Sequence, residues 1–338
     1  MRRRRMRGLF DQLVGQAHLD AALLRTIKGK RRRPDVAAFL LDGERTLARI
    51  EARLQDGTWR PGPYSLLFLH EPKPRLIARA SVADRVVHSA VAMLLEPIIL
   101  RSASEADYAC RRGFGTHRAV LALLRGMREH RFVVHLDVRS YFPSIVVERV
   151  LAQLSRRIDD DRLLALLQGI LAAGRGLYDS PRARHFARID PNWPPPGRGL
   201  PMGSVTSQLF ATHLYLQSFD HHVKRGLKVG GYLRYVDDLF LFGDSRARLR
   251  SLRQEVGGIL ADEYELRLKH PQAPLLSCRG TLDALGARIR RSGIEPLPEA
   301  MARFRALAWD WVRGRGAPRT RAAMERSVAS RLGLLFRF

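Results

Sequence analysis

Cysteine is nearly absent: 338 residues hold only Cys110 and Cys278, far apart in the chain. Two distant cysteines fit no zinc spacing and exclude a disulfide-stapled scaffold. They point to buried, reduced thiols in a reducing compartment. Long apolar runs are missing too, and nothing approaches the roughly 20 residues that a membrane helix needs. The start, Met1–Arg2–Arg3–Arg4–Arg5–Met6–Arg7, has the charge of a signal peptide's first region, but Asp11, Gln12 and Gln16 interrupt the apolar core that should follow. The expectation is a mobile basic arm on a cytoplasmic protein with no membrane partner. Acidic residues are the scarce sign of charge: 33 Asp and Glu face 59 Lys and Arg, a net charge of +26. So one-sided a balance implies a polyanionic partner, nucleic acid first and an acidic membrane surface second. What remains is ordinary. An apolar content of 46% is that of a globular protein, and the length suffices for more than one domain.

Because acids are few, the places where they gather carry weight. In Gly231–Tyr232–Leu233–Arg234–Tyr235–Val236–Asp237–Asp238–Leu239–Phe240–Leu241–Phe242, two apolar, β-prone runs flank adjacent aspartates. The pattern predicts two short strands joined by an acidic turn. Carboxylates in apolar surroundings need a cation or a basic partner, and hard divalent ions prefer such oxygens. A polar turn in an ordinary hairpin would look the same, so the decision lies upstream. The run Phe132–Val133–Val134–His135–Leu136–Asp137 reads as a strand ending in a third carboxylate, followed by Val138–Arg139–Ser140–Tyr141–Phe142. Between the two acidic sites lies the loop Gly199–Leu200–Pro201–Met202–Gly203–Ser204–Val205–Thr206–Ser207–Gln208, then an apolar helical run through Leu216.

In this order the three motifs resemble those of reverse transcriptases, over roughly residues 63–288. The resemblance implies an α+β right-hand polymerase: fingers, a palm with a small antiparallel sheet, and a short helical thumb. It divides the chain into a basic arm (1–34), fingers with N-terminal helices and a basic hairpin (35–131), palm with the first aspartate (132–146), fingers and connecting helices (147–199), palm with the Tyr-Val-Asp-Asp hairpin and a primer-grip-like turn (200–290), and thumb (291–338).

Nucleotidyl transfer needs an activated primer 3′-hydroxyl and a stabilised leaving pyrophosphate. Two Mg²⁺ ions about 3.5–4 Å apart, bridged by carboxylates from converging elements, do both; Mn²⁺ is the alternative ion. Asp137 and Asp237 are expected to bridge the ions, with Asp238 and, by resemblance, the Val138 carbonyl assisting. Lys269 resembles a lysine that protonates the pyrophosphate. For dNTP binding the resemblance implies Lys73 and Arg75 in the fingers hairpin, Met202 and Gly203 in the loop, and Phe142 as the ring that excludes a 2′-hydroxyl. Arg85, Arg111, Arg112 and Tyr235 are the implied nucleic-acid contacts. The implied partners are a template RNA, its primer and cDNA, and dNTPs.

Subtype turns on the Leu200–Gln208 loop. Most reverse transcriptases carry Gln before this glycine and Ser-Pro at the end; here Met202 precedes Gly203 and Ser207–Gln208 closes it. Together with Pro72–Lys73–Pro74–Arg75, Asp84–Arg85–Val86–Val87–His88 and Gly115–Thr116–His117–Arg118–Ala119–Val120, this is similar to the enzymes of diversity-generating retroelements. Those copy a template-repeat RNA into cDNA mutated mainly at template adenines, aided by a small basic accessory protein. Met202 and Val205 depart from that subtype's commonest loop. The alternatives are another bacterial reverse transcriptase of retron, abortive-infection or CRISPR-associated type, and an inactive RNA-binding scaffold.

Elsewhere the periodicity predicts helices over 35–56, 83–95, 146–178 and 246–265, and a hairpin over 65–77. Thr116 is the expected cap of a following helix. Leu266–His270 reads as a short strand and the chain beyond Glu295 as helical, while Leu282–Leu285–Gly286 resembles the strand and turn that grip the primer in reverse transcriptases.

Overall fold

The structure, a computed structural model, describes residues 5–70 and 74–313; within 298–312 the side chains of residues 300, 303, 307 and 310–312 are left aside. The chain divides into two compact units: residues 1–104, 138–218 and 260–267, and residues 105–137, 219–259 and 268–338.

The first unit is mainly helical. Residues expected as an arm form two helices, Leu9–Val14 and Gln16–Ile27, which bury Leu9, Phe10, Leu13, Leu19 and Ile27. Their apolar positions recur at helical spacing between the arginine runs, and burial of that face outweighs the repulsion of the basic flanks. Upstream, Arg5 and Arg7 pair with Asp159 and Met6 bridges to Ile158, so these residues too are docked. The helix expected over 35–56 is two, Pro34–Leu41 and Gly43–Gln55, parted at Asp42. That over 146–178 is also two, Val147–Ser155 and Asp161–Ala172, because the Asp160 carboxylate accepts from the Leu163 amide and starts a new helix. The helix opened by Ser81 runs Val82–Leu100, with Pro97 inside it instead of beyond its end. The predicted hairpin is present as β1 (Ser65–Leu69) against β2 (Arg75–Arg79), antiparallel, with Leu69 opposite Arg75.

The second unit carries two antiparallel sheets. In the first, β3 (Phe132–Asp137), β4 (Gly231–Tyr235), β5 (Asp238–Gly243) and β6 (Leu275–Ser277) lie in the order β4-β5-β3-β6. One face packs on the amphipathic helix Thr116–Glu129: Leu123, Met127, Val133, Leu233, Phe240 and Phe242 share a single core cluster. A Cβ on Gly126 would come within 2.7 Å of the Phe242 ring, so a glycine sets how closely that helix lies on the sheet. The second sheet joins β7 (Leu282–Ala284), β8 (Ala287–Arg290) and β9 (Gly293–Pro296), and the β7–β8 turn uses Leu285 and Gly286 at positive φ. The helix Pro298–Val312 follows; most of the expected thumb lies outside the described residues.

Three local expectations change. Thr116 does not cap its helix: Gly115 is the cap residue, and the threonine hydroxyl bonds to Tyr235. Leu266–His270 forms no ladder strand, though the Lys269 amide donates to the Asp137 carbonyl (2.8 Å). Neither cysteine forms a disulfide, and only Cys278 is buried; Cys110 is exposed. No described helix is long and apolar enough to cross a membrane.

Candidate active site

The acidic hairpin forms as its pattern predicts: β4 and β5 pair from Gly231–Phe242 to Tyr235–Asp238, leaving Val236 and Asp237 as a two-residue turn. Such turns need a positive φ to match the strand twist. Here Val236 supplies it at 58°, an outlier for a β-branched side chain that stores on the order of 1–3 kcal/mol of strain. β3 pairs with β5 on the other side, and its last residue, Asp137, lies directly opposite Asp238. Register thus brings Asp137, Asp237 and Asp238 to one end of one sheet. Lys269 joins them, its ammonium 3.4 Å from the Asp137 carboxylate.

Each opposed carboxylate already has a partner. The His135 Nε2 lies 2.6 Å from Asp238 Oδ1, and the imidazole stacks on Phe240 at 4.4 Å. Asp137 and Asp238 keep about a third of their side-chain surface, 35% and 29%. Among the described residues no three His, Cys, Asp or Glu side chains are gathered to hold an ion. The donors fit a divalent cation in kind: oxygen ligands, partly exposed, on facing strand ends.

Beneath the turn lies a charge cluster that the sequence reading missed. Arg234 has no exposed surface. Its Nε and Nη2 donate to Asp220 at 2.7–3.0 Å, Nη2 also lies 3.1 Å from Asp107, and Nη1 donates to the Val236 carbonyl at 3.1 Å. The Tyr232 hydroxyl adds a 2.7 Å bond to Asp220. Burial opposes the charge on Arg234, but Asp107 and Asp220 more than offset it and hold the guanidinium well above its usual pKa. Burial pushes the Asp220 carboxyl up, against the pull of Arg234. An arginine inside an otherwise apolar strand was the available signal, as was His135, one alternation before Asp137 on the same face.

Other expected contacts in this unit lie in Tyr108–Gly115. Arg111 covers the Phe114 ring at 4.0 Å and donates to the Asp107 carbonyl, while Arg112 is exposed. The Tyr235 hydroxyl bonds Thr116 at 2.8 Å.

The residues expected on the nucleotide side belong to the first unit. The Leu200 amide donates to the Phe142 carbonyl (2.9 Å), so the expected sugar gate and the loop are adjacent. The Met202 carbonyl accepts from the Ala78 amide of β2 (2.7 Å), and its amide donates to the Tyr178 hydroxyl (3.1 Å). Gly203 has φ 114°, and a Cβ there would meet Ile77 at 2.8 Å and the Ala78 carbonyl at 3.0 Å. Ser204 bonds His88, whose imidazole burial pushes down to about 4 against the charge of Asp84. His88 is buried, with 1% of its surface exposed. Arg75 is exposed at the start of β2, and Lys73 lies outside the described residues. Arg85 is engaged by Asp35 at 2.5 Å. Burial would raise the Asp35 carboxyl, but Arg85 and Arg79 hold it below the usual range.

With this geometry in view, comparison with known proteins gives a family. The profile described as Reverse transcriptase (RNA-dependent DNA polymerase) matches residues 70–271, more than half of the chain. The chain belongs to the reverse transcriptase family. Members use divalent metal ions, and the mixture of helices with small antiparallel sheets is the fold class the motifs implied. Among curated relatives, Protein YkfC of Escherichia coli (strain K12) is 23% identical over 284 residues, covering 72% of this chain and 70% of that protein. Nuclear intron maturase 4, mitochondrial, of Arabidopsis thaliana is 25% identical over 145 residues, or 43% of this chain and 17% of the maturase. Among solved structures, a partial Cas6-RT-Cas1–Cas2 complex aligns at 19% identity and TM-score 0.40, covering 75% of this reverse transcriptase and 43% of that chain. Apo telomerase from Candida Tropicalis aligns at 8% and 0.46, covering 70% and 49%.

Proposed function

We propose that this reverse transcriptase is an RNA-directed DNA polymerase that copies a template RNA into cDNA by two-metal-ion nucleotidyl transfer. The observation that carries the reading is the register that sets Asp137 opposite Asp238, with Asp237 in the adjoining turn and Lys269 beside Asp137. Asp137, Asp237, Asp238 and the Val138 carbonyl would hold Mg²⁺, or Mn²⁺ in its place. When bound, the ions supply Lewis acidity to the attacking and leaving oxygens. The protein's own residues do the rest. Lys269 gives a proton to the leaving pyrophosphate. Phe142 excludes a ribose 2′-hydroxyl, and the backbone of Met202 and Gly203 lines the sugar side of the dNTP. Arg75 and Lys73 balance the triphosphate charge. Arg85 contacts template once released from Asp35, with Arg111, Arg112 and Tyr235 as further nucleic-acid contacts.

The finer reading is mutagenic retrohoming in a diversity-generating retroelement, with a small basic accessory protein as partner. Met202 in place of glutamine, and the Ser207–Gln208 ending, support it. A methionine offers no amide to check the sugar of the incoming nucleotide, and its flexible thioether tolerates a misplaced one.

The test is primer extension on a defined RNA with four dNTPs and Mg²⁺, followed by sequencing. Extension with errors concentrated opposite template adenines is expected. The Asp237→Ala, Asp238→Ala double variant should lose about 10³-fold or more, since ligands of a Lewis acid are worth several kcal/mol. Met202→Gln should lower misincorporation severalfold at unchanged extension rate. Accurate extension by the wild type would move the protein to a retron-like or defence role. No extension, with the accessory protein and native RNA supplied, would favour the scaffold.

A further inference from the structure

Val236 is held at φ 58° in a turn that glycine or asparagine would adopt with less strain. Strain of this kind persists only where the surroundings over-determine it. Besides the ladder that closes the turn, one side chain reaches its backbone. The Arg234 guanidinium is a rigid planar fork. Two of its nitrogens are fixed on Asp220 and Asp107, and the third reaches the Val236 carbonyl at 3.1 Å. Both carboxylates are buried, with relative exposures of 1% for Asp107 and 0% for Asp220, so the fork cannot swing to water. Its backbone is fixed as well. The Arg234 amide donates to the Ala106 carbonyl (2.7 Å), and its own carbonyl accepts from the Tyr108 amide (3.0 Å). The carbonyl so gripped belongs to the peptide that joins Val236 to Asp237. Its orientation decides the direction in which the Asp237 side chain leaves the turn.

We propose that Arg234 is a positioning residue: clamped between Asp220 and Asp107, it holds the Val236 carbonyl and the left-handed turn, and thereby sets the affinity of the aspartate pair for divalent ions. It touches neither substrate nor ion. This inference rests on the reading of Asp237 and Asp238 as ion ligands, and its test separates the two.

The measurement is binding of Mn²⁺ alone to the full chain, followed by the electron paramagnetic resonance signal of the free ion, with unfolding followed in parallel. Wild type should bind more tightly than the Asp237→Ala, Asp238→Ala variant. Arg234→Lys keeps the charge but not the fork, and should weaken binding tenfold or more. Val236→Pro forbids the positive φ while leaving the Arg234, Asp220 and Asp107 side chains in place, and should weaken it similarly in a chain that still unfolds cooperatively. Val236→Gly adopts the positive φ without strain and so no longer needs the clamp. Combined with R234K, it should restore binding to within threefold of wild type, a rescue that no general loss of folding would show. A folded R234K that binds like wild type overturns the proposal. So does a V236P that binds like wild type, which decides the matter even where R234K fails to fold. Equal binding by wild type and the double aspartate variant would overturn the ion-ligand reading itself, and the proposal with it.

Discussion

The turn that carries Asp237 and Asp238 is anchored through side chains, whereas the loop from Leu200 to Gln208 is anchored through its main chain. Under the turn, Arg234, Asp220 and Asp107 form a buried ionic cluster, and Tyr232 completes it. Under the loop, the Met202 amide and carbonyl are both bonded, to Tyr178 and Ala78, and the Leu200 carbonyl accepts from Tyr178. The difference bears on what each can tolerate. A buried charge cluster depends on every member, because removing one leaves another uncompensated. A loop held by its amides leaves the side chain at 202 available to change chemistry without changing shape. The side chain at 202 can therefore change while the turn that carries Asp237 and Asp238 stays rigid.

The ionic cluster under the turn should show the largest effect on stability. Asp220→Ala strands part of the Arg234 charge and should cost about 3–5 kcal/mol in urea unfolding. His88, beneath the loop, tests a titratable support. Its folded pKa of about 4 lies below the ordinary 6.5, so the unfolded chain binds the proton first. Its contribution is complete above pH 6.5 and fades as pH falls towards 4, by on the order of 3 kcal/mol. Unfolding at pH 7 and pH 4.5 should show that loss in wild type and a smaller one in His88→Gln. Gly203→Ala places a methyl against Ile77 and the Ala78 carbonyl at positive φ. It should cost about 1–3 kcal/mol and raise the dNTP KM. Met202→Gln should leave stability within about 0.5 kcal/mol of wild type while fidelity changes.

Much of this was legible because it is local. The alternation around Asp237–Asp238, the strand ending at Asp137 and the hairpin over 65–77 each declare themselves within about a dozen residues. What stayed hidden depends on partners distant in the chain. Arginine runs masked the apolar spacing of Leu9, Phe10, Leu13 and Leu19, and burial of that face is decided by the rest of the unit. Asp42 parts two helices without a side-chain cap bond, and Asp160 does so by capping with its carboxylate; neither residue type alone announces a break. Lys269 reaches Asp137 from a segment with one backbone bond to it and no ladder, a geometry that strand patterning does not anticipate. Thr116 has the chemistry of a cap, but Tyr235 offered its hydroxyl a partner from another element. Asp107, Asp220 and Arg234 share no period at all; only the fold brings them together.

The backbone bonds that Arg234 makes to Ala106 and Tyr108 have a further consequence, for solubility. β4 is the outermost strand of its sheet, and an outermost strand offers its amides and carbonyls to any passing chain. Residues 106–108 lie along that flank and satisfy both main-chain groups of Arg234 from within the molecule. A foreign strand that sought to extend the sheet next to the aspartates would first have to displace them. The segment thus acts as a selvedge, guarding the strand beside the aspartates against self-association.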